Sequence, residues 1–237
     1  MRRLSFLILL LVSASVCSAE VRSNSASNPP FQTQPITYIA IGDSYTIGEG
    51  ASFRDCWPVQ LAFHLRQRGV YIQNQKVLAK TGWATSDAIA VALPVYQAAK
   101  PQFATLMIGV NDWVRGISAE DFRKRLRILM DEMIKVLPQK NHLLVVNIPD
   151  FSVTPQGKEY AGGRDIAAGI AEFNKIIKEE AAQRGLPLID IFPVSREMAA
   201  NRSLIAADGL HPSAKTYSAW EQWIFPKAFE ILKPATQ

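Results

Sequence analysis

Five short apolar runs alternate along the chain with longer segments of helical periodicity. This alternation constrains the fold most, because strands that follow one another through helices pair in a parallel sheet with helices on both faces. Continuous apolar runs are typical of strands that are buried on both sides. The predicted strands, of which the second is the most polar, cover residues 36–41, 71–79, 103–108, 142–148 and 186–191.

The segments between the runs predict helices. One begins at Ser118, has Asp121 three residues later as a capping partner, and ends at Pro138. Another ends at Gly185, a residue type that often closes helices. We therefore predict one α/β domain over residues 36–234, a three-layer α/β/α sandwich around a five-stranded parallel sheet. The predicted helices cover residues 58–68, 86–92, 118–138, 166–185 and 213–232.

The first 19 residues have the layout of a secretory signal peptide. Arg2 and Arg3 precede an apolar stretch over residues 4–16, and small residues follow it. The stretch is shorter than the ~18 residues that a membrane span needs. Residues 20–35 are rich in Ser, Asn, Gln and Pro and predict a flexible tether. We therefore expect an exported protein, periplasmic or secreted, without stable membrane insertion.

An alternative interpretation makes Cys17 the lipid-modified first residue of a lipoprotein. The residue before such a cysteine should be small, whereas Val16 is bulky. If residues 1–19 are removed, Cys56 is the only cysteine left in the sequence, and no intramolecular disulfide can form. Lipoprotein anchoring is therefore the lesser alternative to a freely exported protein.

Charge and motifs argue against several classes of function. Removal of Arg2 and Arg3 with the signal segment lowers Lys plus Arg from 26 to 24 against 21 acidic residues, a net charge of +3. Basic residues are interleaved with acidic ones, as in residues 120–125, so no nucleic-acid surface is predicted. The sequence has no Gly-x-Ser-x-Gly elbow, Walker loop, His-Glu-x-x-His motif or Cys-x-x-Cys pair. No metal and no cofactor are implied.

Polar residues follow the first three predicted strands and recur near the C-terminus. Ligands of open parallel sheets bind beyond the carboxyl ends of the strands, so these loops are the first candidates for chemistry. A serine hydroxyl needs a base to take its proton, and that base needs a third group to orient it. Asp208 and His211, three residues apart around a turn at Gly209, can form such a pair. Ser44 would complete the catalytic set across the sheet.

Acyl transfer also needs hydrogen-bond donors for the oxygen that becomes negative in the tetrahedral intermediate. Asn111 offers a side-chain amide, and Gly82 offers a backbone N–H that no side chain obstructs. The backbone N–H of Ser44, at the predicted start of a helix, is a third donor. Each residue also has a structural explanation, since Ser44 can cap a helix, Asn111 can bridge a turn and Gly82 can supply a positive φ.

The blocks that contain Ser44, Gly82, Asn111 and His211 resemble the four signature blocks of the SGNH hydrolase superfamily, also called GDSL esterases and lipases. The resemblance spans residues 36 to about 226, and the order and spacing of four blocks make it far more specific than any single block. It implies a flavodoxin-like fold. It also implies an oxyanion hole formed by Ser44, Gly82 and Asn111.

The same resemblance implies the catalytic roles. Ser44 would be the nucleophile, His211 the base, and Asp208 the partner of that base. One residue departs from the family pattern, because Tyr45 stands where the leucine of the GDSL motif is expected. That position is not catalytic, so the departure affects packing or the pocket rim. Two further stretches resemble a bacterial branch of the superfamily: residues 47–50 and 57–61.

Several residues near the proposed site have more than one interpretation. Arg115 is a candidate contact for an anionic substrate. Asp43 and Asp112 flank the catalytic loops and are expected to hold them by hydrogen bonds to backbone N–H groups. His64 and His142 are expected outside the site, the first in a helix and the second at the amino end of a strand. Four aromatic residues are candidates either for substrate binding or for core packing: Tyr45, Trp83, Trp113 and Phe151.

Together these features predict an exported serine esterase that hydrolyses carboxylic esters through an acyl-enzyme. The expected substrate is a small-molecule, glycan or lipid ester, and the sequence carries no indication of oligomeric state. Among enzymes, the alternatives are a polysaccharide O-acetyl esterase or acyltransferase, and a lysophospholipase or thioesterase. Outside enzymes, the alternative is a carbohydrate-binding protein on the same fold. Acyl-chain preference separates the enzymes, and serine-dependent turnover separates enzyme from binding protein.

Overall fold

The computed structural model describes residues 34–233. The predicted signal peptide and residues 20–33 of the predicted tether lie outside the described residues, and both stay predictions. Residue 234, the predicted end of the domain, also lies outside them. Across residues 34–233, no helix combines the length and the apolar character needed to cross a membrane.

A single sheet of five parallel strands forms the centre of the fold. The strand order is β2-β1-β3-β4-β5, so the predicted five-stranded parallel sheet is confirmed. The chain leaves β1 towards β2, then returns past β1 to β3, and this reversal opens a crevice at the carboxyl ends of β1 and β3. The strand bounds are Ile36–Gly42 (β1), Ile72–Ala79 (β2), Phe103–Met107 (β3), Leu143–Val146 (β4) and Leu188–Ile189 (β5).

The last two strands are shorter than the apolar runs that predict them. The run over residues 142–148 ends in Ile148, which is buried although it follows β4. Its N–H donates to Oδ1 of Asn174 at 2.8 Å instead of to a neighbouring strand. The apolar character of Ile148 is therefore explained by its burial and not by strand pairing.

Helices cover both faces of the sheet. The described residues contain nine α-helices: Ser44–Ile47 (α1), Trp57–Gln67 (α2), Thr85–Asp87 (α3), Leu93–Ala99 (α4), Val110–Val114 (α5), Ala119–Ile134 (α6), Ile166–Arg184 (α7), Phe192–Ser195 (α8) and Ala214–Leu232 (α9). Helix α2 packs against α9, whereas α4, α6 and α7 pack in succession. Because crossovers between parallel strands are right-handed as a rule, these two groups lie on opposite faces, in the predicted three-layer α/β/α sandwich.

Short helical turns occupy several of the connections. The 3-10 turns are Phe53–Asp55, Lys140–His142, Phe151–Val153, Gly157–Tyr160, Arg196–Ala199 and Arg202–Leu204. The predicted caps are present on the long helices: the Ser118 hydroxyl accepts the Asp121 N–H at 3.1 Å, and Gly185, with φ of 66°, closes α7. Helix α6 ends at Ile134, four residues before the predicted stop at Pro138.

The helix predicted over residues 86–92 continues beyond its predicted C-terminal boundary, because the helical path extends to Ala99. Pro94 lacks an N–H and normally ends or kinks a helix. Here residues Ala88–Ala92 form a π-helical turn, in which the Leu93 N–H donates to the Ala88 carbonyl. The wider turn lets the chain continue into α4 with the proline in its first turn.

Candidate active site

The turn after β1 places Ser44 at the carboxyl edge of the sheet. β1 ends at Gly42, and Ser44 is the first residue of α1. A Cβ on Gly42 would lie 2.0 Å from Oγ1 of Thr46, so this close turn needs glycine. Asp43 caps α1, since its Oδ1 accepts the Tyr45 N–H at 3.0 Å. Asp43 thus holds the turn through a backbone N–H, as expected from the sequence.

The carboxyl of Asp43 is an unusual titratable group because it is almost completely buried. Burial raises its pKa to about 7, against the opposing effect of the hydrogen bond from Tyr45. The nearby carboxylate of Asp112 raises this pKa as well. The residue beside Ser44 therefore changes its charge near neutral pH.

His211 is paired with Asp208 in a turn between Arg202–Leu204 and α9. His211 Nδ1 lies 2.7 Å from Oδ2 of Asp208, and Oδ1 of Asp208 accepts the backbone N–H groups of Leu210 and His211, both at 2.9 Å. Burial alone would raise the pKa of Asp208, but these three hydrogen bonds lower it below its ordinary value. The carboxyl is therefore ionised at neutral pH, which makes His211 Nδ1 the donor in this hydrogen bond. The other ring nitrogen, Nε2, makes no bond to Asp208.

The two turns meet around a shared cavity that Ser44 and His211 both line. Tyr45 and His211 pack edge to face, with ring centroids 5.8 Å apart. A Cβ on Gly50, where φ is 84°, would lie 2.4 Å from Cβ of Ala206 and 3.3 Å from Cβ of His211. Within residues 34–233 no hydrogen bond joins the Ser44 hydroxyl to His211. Such catalytic contacts are often long until substrate is bound.

The two predicted oxyanion donors follow β2 and β3 and line the same cavity. Gly82 has φ of 83°, and a Cβ there would touch nothing within 4 Å, so the side facing outward is open. The Asn111 side chain donates to the Trp83 carbonyl at 2.9 Å, which ties the loop after β3 to the loop after β2. The side-chain amide of Asn111 has a second N–H that this bond does not use.

Asp112 joins α5 to the start of α3, which follows the loop after β2. Its carboxylate accepts the N–H of Thr85 at 2.8 Å and the hydroxyl of Thr85 at 2.5 Å. The Asp112 side chain is buried, and burial raises its pKa in spite of these bonds. The expected backbone role of this carboxylate is therefore present in the structure.

Arg115 makes two hydrogen bonds to residues of the loop after β2 and of α3. Its Nη2 donates to the Gly82 carbonyl at 2.6 Å, and its Nη1 donates to Oδ2 of Asp87 at 3.0 Å. Arg115 is also not among the residues that line the cavity. These contacts give Arg115 a structural role, and its interpretation as a contact for an anionic substrate stays a prediction.

The cavity has a volume of about 150 Å³ and mostly apolar walls. Of the four aromatic candidates, Tyr45 and Phe151 line it, whereas Trp83 and Trp113 do not. Trp113 is buried against Phe151, with ring centroids 5.9 Å apart, and the Arg164 guanidinium lies 4.0 Å from its ring centroid. The full lining is Ser44, Tyr45, Thr81, Gly82, Val110, Asn111, Val114, Phe151, Tyr160, Leu210 and His211.

Sequence reasoning missed several apolar wall residues. Val110 and Val114 are four residues apart on α5 and flank Asn111, a helical spacing that would have indicated a common face. Leu210 lies directly before His211 in the chain. Tyr160 comes from a 3-10 turn far from every motif, and no local signal identifies it.

The other two histidines lie elsewhere, as expected. His64 is on α2, with Nδ1 3.0 Å from the carboxylate of Glu221. His142 precedes β4, and its Nδ1 is 2.6 Å from the Gln102 carbonyl. In the part of the chain that the structure describes, no three His, Cys, Asp or Glu side chains are grouped as metal ligands would be.

The chain matches one protein family by sequence and several solved structures by fold. The model of the GDSL-like lipase/acylhydrolase family matches residues 40–219. A lipase/acylhydrolase from Enterococcus faecalis is 22% identical over 85% of this chain and 100% of its own, with a TM-score of 0.67. A family 3 carbohydrate esterase from Clostridium thermocellum is 20% identical over 84% and 98% of the two chains, with a TM-score of 0.65.

An acetylxylan esterase from Geobacillus stearothermophilus has the same fold at 16% identity, over 81% of this chain and 94% of its own, with a TM-score of 0.64. No curated protein matches the chain by sequence. At these identities the likeness to solved structures establishes the fold, and the family match over residues 40–219 establishes the relationship by sequence.

Proposed function

Because the chain belongs to the GDSL-like lipase/acylhydrolase family of ester hydrolases, we propose that Ser44, His211 and Asp208 form its catalytic triad. The observation that carries the proposal is the 2.7 Å contact between His211 Nδ1 and Asp208 at the rim of a cavity that Ser44 also lines. With Nδ1 donating to the carboxylate, Nε2 is free to take a proton from the nucleophile. The ionised Asp208 then stabilises the imidazolium that forms.

The reaction has two halves. Ser44 Oγ attacks the ester carbonyl carbon while its proton passes to His211 Nε2, and the carbonyl oxygen becomes negative in a tetrahedral intermediate. The intermediate collapses as His211 returns the proton to the leaving alcohol, which leaves an ester on Ser44. Water then attacks this acyl-enzyme with His211 again as base, so the acid is released and Ser44 is regenerated.

Three donors in the cavity are the proposed partners of the negative oxygen. Ser44 contributes its backbone N–H, Gly82 its backbone N–H and Asn111 its side-chain amide. Preorganised donors in a site with apolar walls stabilise developing charge without reorganising during the reaction. The second N–H of Asn111, which is not used on the Trp83 carbonyl, supplies the side-chain donor.

The cavity favours a short acyl group. Its volume of about 150 Å³ is that of a site able to hold roughly one benzene ring. Val110, Val114 and Leu210 provide an apolar wall for such a group. We therefore propose small acyl esters, acetate to butyrate, as the preferred class over lipids with long chains.

A second candidate is the deacetylation of a carbohydrate. Two proteins with this fold are described as an acetylxylan esterase and a carbohydrate esterase. Acetyl is the smallest acyl group of the proposed class and fits the same cavity. In this version of the function, the sugar is the leaving alcohol and the chemistry at Ser44 is unchanged.

The test uses p-nitrophenyl esters from acetate to long acyl chains, acetylated oligosaccharides, and the variant Ser44→Ala. The wild type should turn over short esters best, and Ser44→Ala should lose turnover while its folded state remains. A serine-reactive phosphonate should add one adduct, located on Ser44 by mass spectrometry. Turnover by Ser44→Ala at the wild-type rate would remove Ser44 as the nucleophile. A folded protein with neither turnover nor adduct would favour the carbohydrate-binding alternative.

Export is also proposed, on the layout of residues 1–19. The mass of the mature N-terminus tests it. A chain that starts after residue 19 supports signal cleavage, a lipid on Cys17 supports membrane anchoring of a lipoprotein, and an intact Met1 would contradict export.

A further inference from the structure

The loop over residues 81–84, which follows β2, is held through its carbonyl oxygens. Arg115 Nη2 donates to the Gly82 carbonyl at 2.6 Å, and Asn111 Nδ2 donates to the Trp83 carbonyl at 2.9 Å. Both donors belong to α5 or its C-terminal cap. The loop with one candidate oxyanion donor is therefore fastened by the segment that contains another.

The peptide between Gly82 and Trp83 is fixed at both of its polar ends. Its oxygen accepts from Arg115, and its N–H, which belongs to Trp83, donates to the Lys80 carbonyl at 3.1 Å. Gly82 has no Cβ and a φ of 83°, so its own backbone preferences set the direction of its N–H only loosely. This N–H belongs to the peptide between Thr81 and Gly82, and contacts of the next peptide help to set its direction.

The N–H of Gly82 is available to a ligand. Within residues 34–233 it donates to no protein acceptor, and Gly82 lines the cavity. The carbonyl of the same residue is engaged by Arg115. One face of the loop is thus bonded to the protein while the donor of Gly82 remains unpaired.

The guanidinium of Arg115 is itself oriented. Oδ2 of Asp87 accepts a hydrogen bond from Nη1 of Arg115 at 3.0 Å and another from the Ala84 N–H at 2.8 Å. The planar guanidinium therefore spans two fixed acceptors, the Asp87 carboxylate and the Gly82 carbonyl, which a flexible lysine ammonium would hold less well. Asp87 and Arg115 close a ring of hydrogen bonds around residues 82–84.

We propose that Arg115 is a positioning residue for the oxyanion hole, acting through the Gly82 carbonyl on the direction of the Gly82 N–H. The proposal rests on the function proposed above, in which that N–H stabilises the tetrahedral intermediate. The ion pair of Arg115 is exposed, with 48% of the arginine side chain and 35% of the aspartate side chain accessible. Exposed pairs contribute little to folding stability, so the effect of Arg115 should appear in catalysis.

The experiment compares Arg115→Met, which keeps much of the side-chain length but has no donor, with Arg115→Lys, which keeps one charged donor. For p-nitrophenyl acetate, Arg115→Met should lower kcat and kcat/KM equally, by about 10- to 100-fold, because the misdirected N–H matters only in the transition state. KM should stay within about twofold of the wild type. Arg115→Lys should recover part of the loss.

Arg127→Met is the matched control. Its side chain is 47% exposed and pairs at 2.9 Å with Glu180 on α7, outside the cavity. Glu180 is buried and stays paired with Arg123 and Arg184 when Arg127 is replaced. It should keep the wild-type kcat. A fall in kcat for both arginine variants would show a general effect of removing a half-exposed arginine from its ion pair and would overturn the proposal.

Two further outcomes separate this proposal from the function on which it rests. If Ser44→Ala is inactive and Arg115→Met has the wild-type kcat, Arg115 is not a positioning residue although the triad stands. If Arg115→Met raises KM and keeps kcat, Arg115 acts in substrate binding and the proposal is wrong. If Ser44→Ala stays active, the reaction centre is elsewhere and both proposals fall.

Discussion

The two halves of the candidate site are held in different ways. The serine half, residues 43–46, consists of the N-cap and the first three residues of α1, and all four residues are buried. The histidine half, residues 208–211, lies in a turn outside the sheet, and the side chain of Asp208 is 39% exposed. The first half is part of the core, whereas the second rests against it.

Local hydrogen bonds hold the histidine half. Ile205 and Pro212 form an isolated antiparallel bridge, the Ala206 N–H donates to the His211 carbonyl at 2.8 Å, and the Gly209 N–H donates to the Ala206 carbonyl at 3.0 Å. These backbone bonds remain when the side chain of His211, which is buried against Tyr45, is replaced by one of similar size. We therefore expect substitutions in the histidine half to change activity, and the buried carboxyl of the serine half to change stability.

The largest expected effect is that of His211→Gln. Loss of the base should lower kcat by on the order of 10⁵-fold or more, as the removal of one triad member does in other serine hydrolases. The free energy of unfolding, measured in urea, should change little because the backbone bonds of the turn remain. His142→Gln, at the amino end of β4, is the control and should keep full activity. A large loss of stability in His211→Gln would mean that the histidine half is part of the core after all.

Asp208→Asn should lower kcat on the order of 10⁴-fold. The amide oxygen can still accept the N–H groups of Leu210 and His211, but the NH₂ faces Nδ1 and favours the tautomer in which Nε2 carries the proton. The ring then cannot act as a base. Asp165→Asn, which changes a similar carboxylate at the N-cap of α7, should leave the steady-state rate unchanged. Equal rates for wild type and Asp208→Asn would separate Asp208 from the triad.

The serine half could be predicted from the sequence more fully than the histidine half could. An apolar run followed by Gly42 predicts a buried strand and a tight turn, and the structure has both. The spacing of Asp208 and His211 predicts their pairing, because the two residues are only three positions apart in the sequence. What places that pair at Ser44 is non-local, namely the packing of Gly50 and Tyr45 against the second turn.

The same distinction applies to the residues around the pocket. Trp113 is next to the site in sequence, yet Gly169 on α7 leaves room for its indole in the core; a Cβ at Gly169 would lie 1.9 Å from Trp113 Nε1. The charge of Arg115 does not by itself predict its contacts with Asp87 and the Gly82 carbonyl. Contacts across 28 to 56 residues of sequence have no local signature in a single chain.

Asn111→Ala should have an intermediate effect, a fall in kcat by about 10²–10³-fold, the usual loss for one oxyanion donor. KM should change little, because the donor acts mainly in the transition state. The residue belongs to neither turn, so this variant shows how much of the rate depends on the loops after β2 and β3. Steady-state kinetics on p-nitrophenyl acetate measure it, and an unchanged kcat would remove Asn111 from the oxyanion hole.

The smallest expected effect is on the pH dependence of stability, and it separates the two halves by sign. In the folded protein the pKa of Asp43 is raised to about 7, from about 4 in an unfolded chain. Between these values the folded state binds more protons, so the contribution of Asp43 to stability is full below about pH 4 and is lost as pH rises through about 7. The pKa of Asp208 is lowered instead, so its contribution is lost only as pH falls through the acid range.

Asp43→Asn should therefore reduce the fall in unfolding free energy between pH 5 and pH 8 by about 1–3 kcal/mol. Asn can still accept the Tyr45 N–H and cap α1. Urea unfolding at the two pH values measures the difference, and part of the fall should remain because burial also raises the pKa of Asp112 and of Glu221. Asp208→Asn is the matched control and should keep the whole fall. If Asp43→Asn and Asp208→Asn showed the same fall in unfolding free energy, the buried carboxyl of Asp43 would not be a source of the pH dependence. The two halves would then differ in exposure alone.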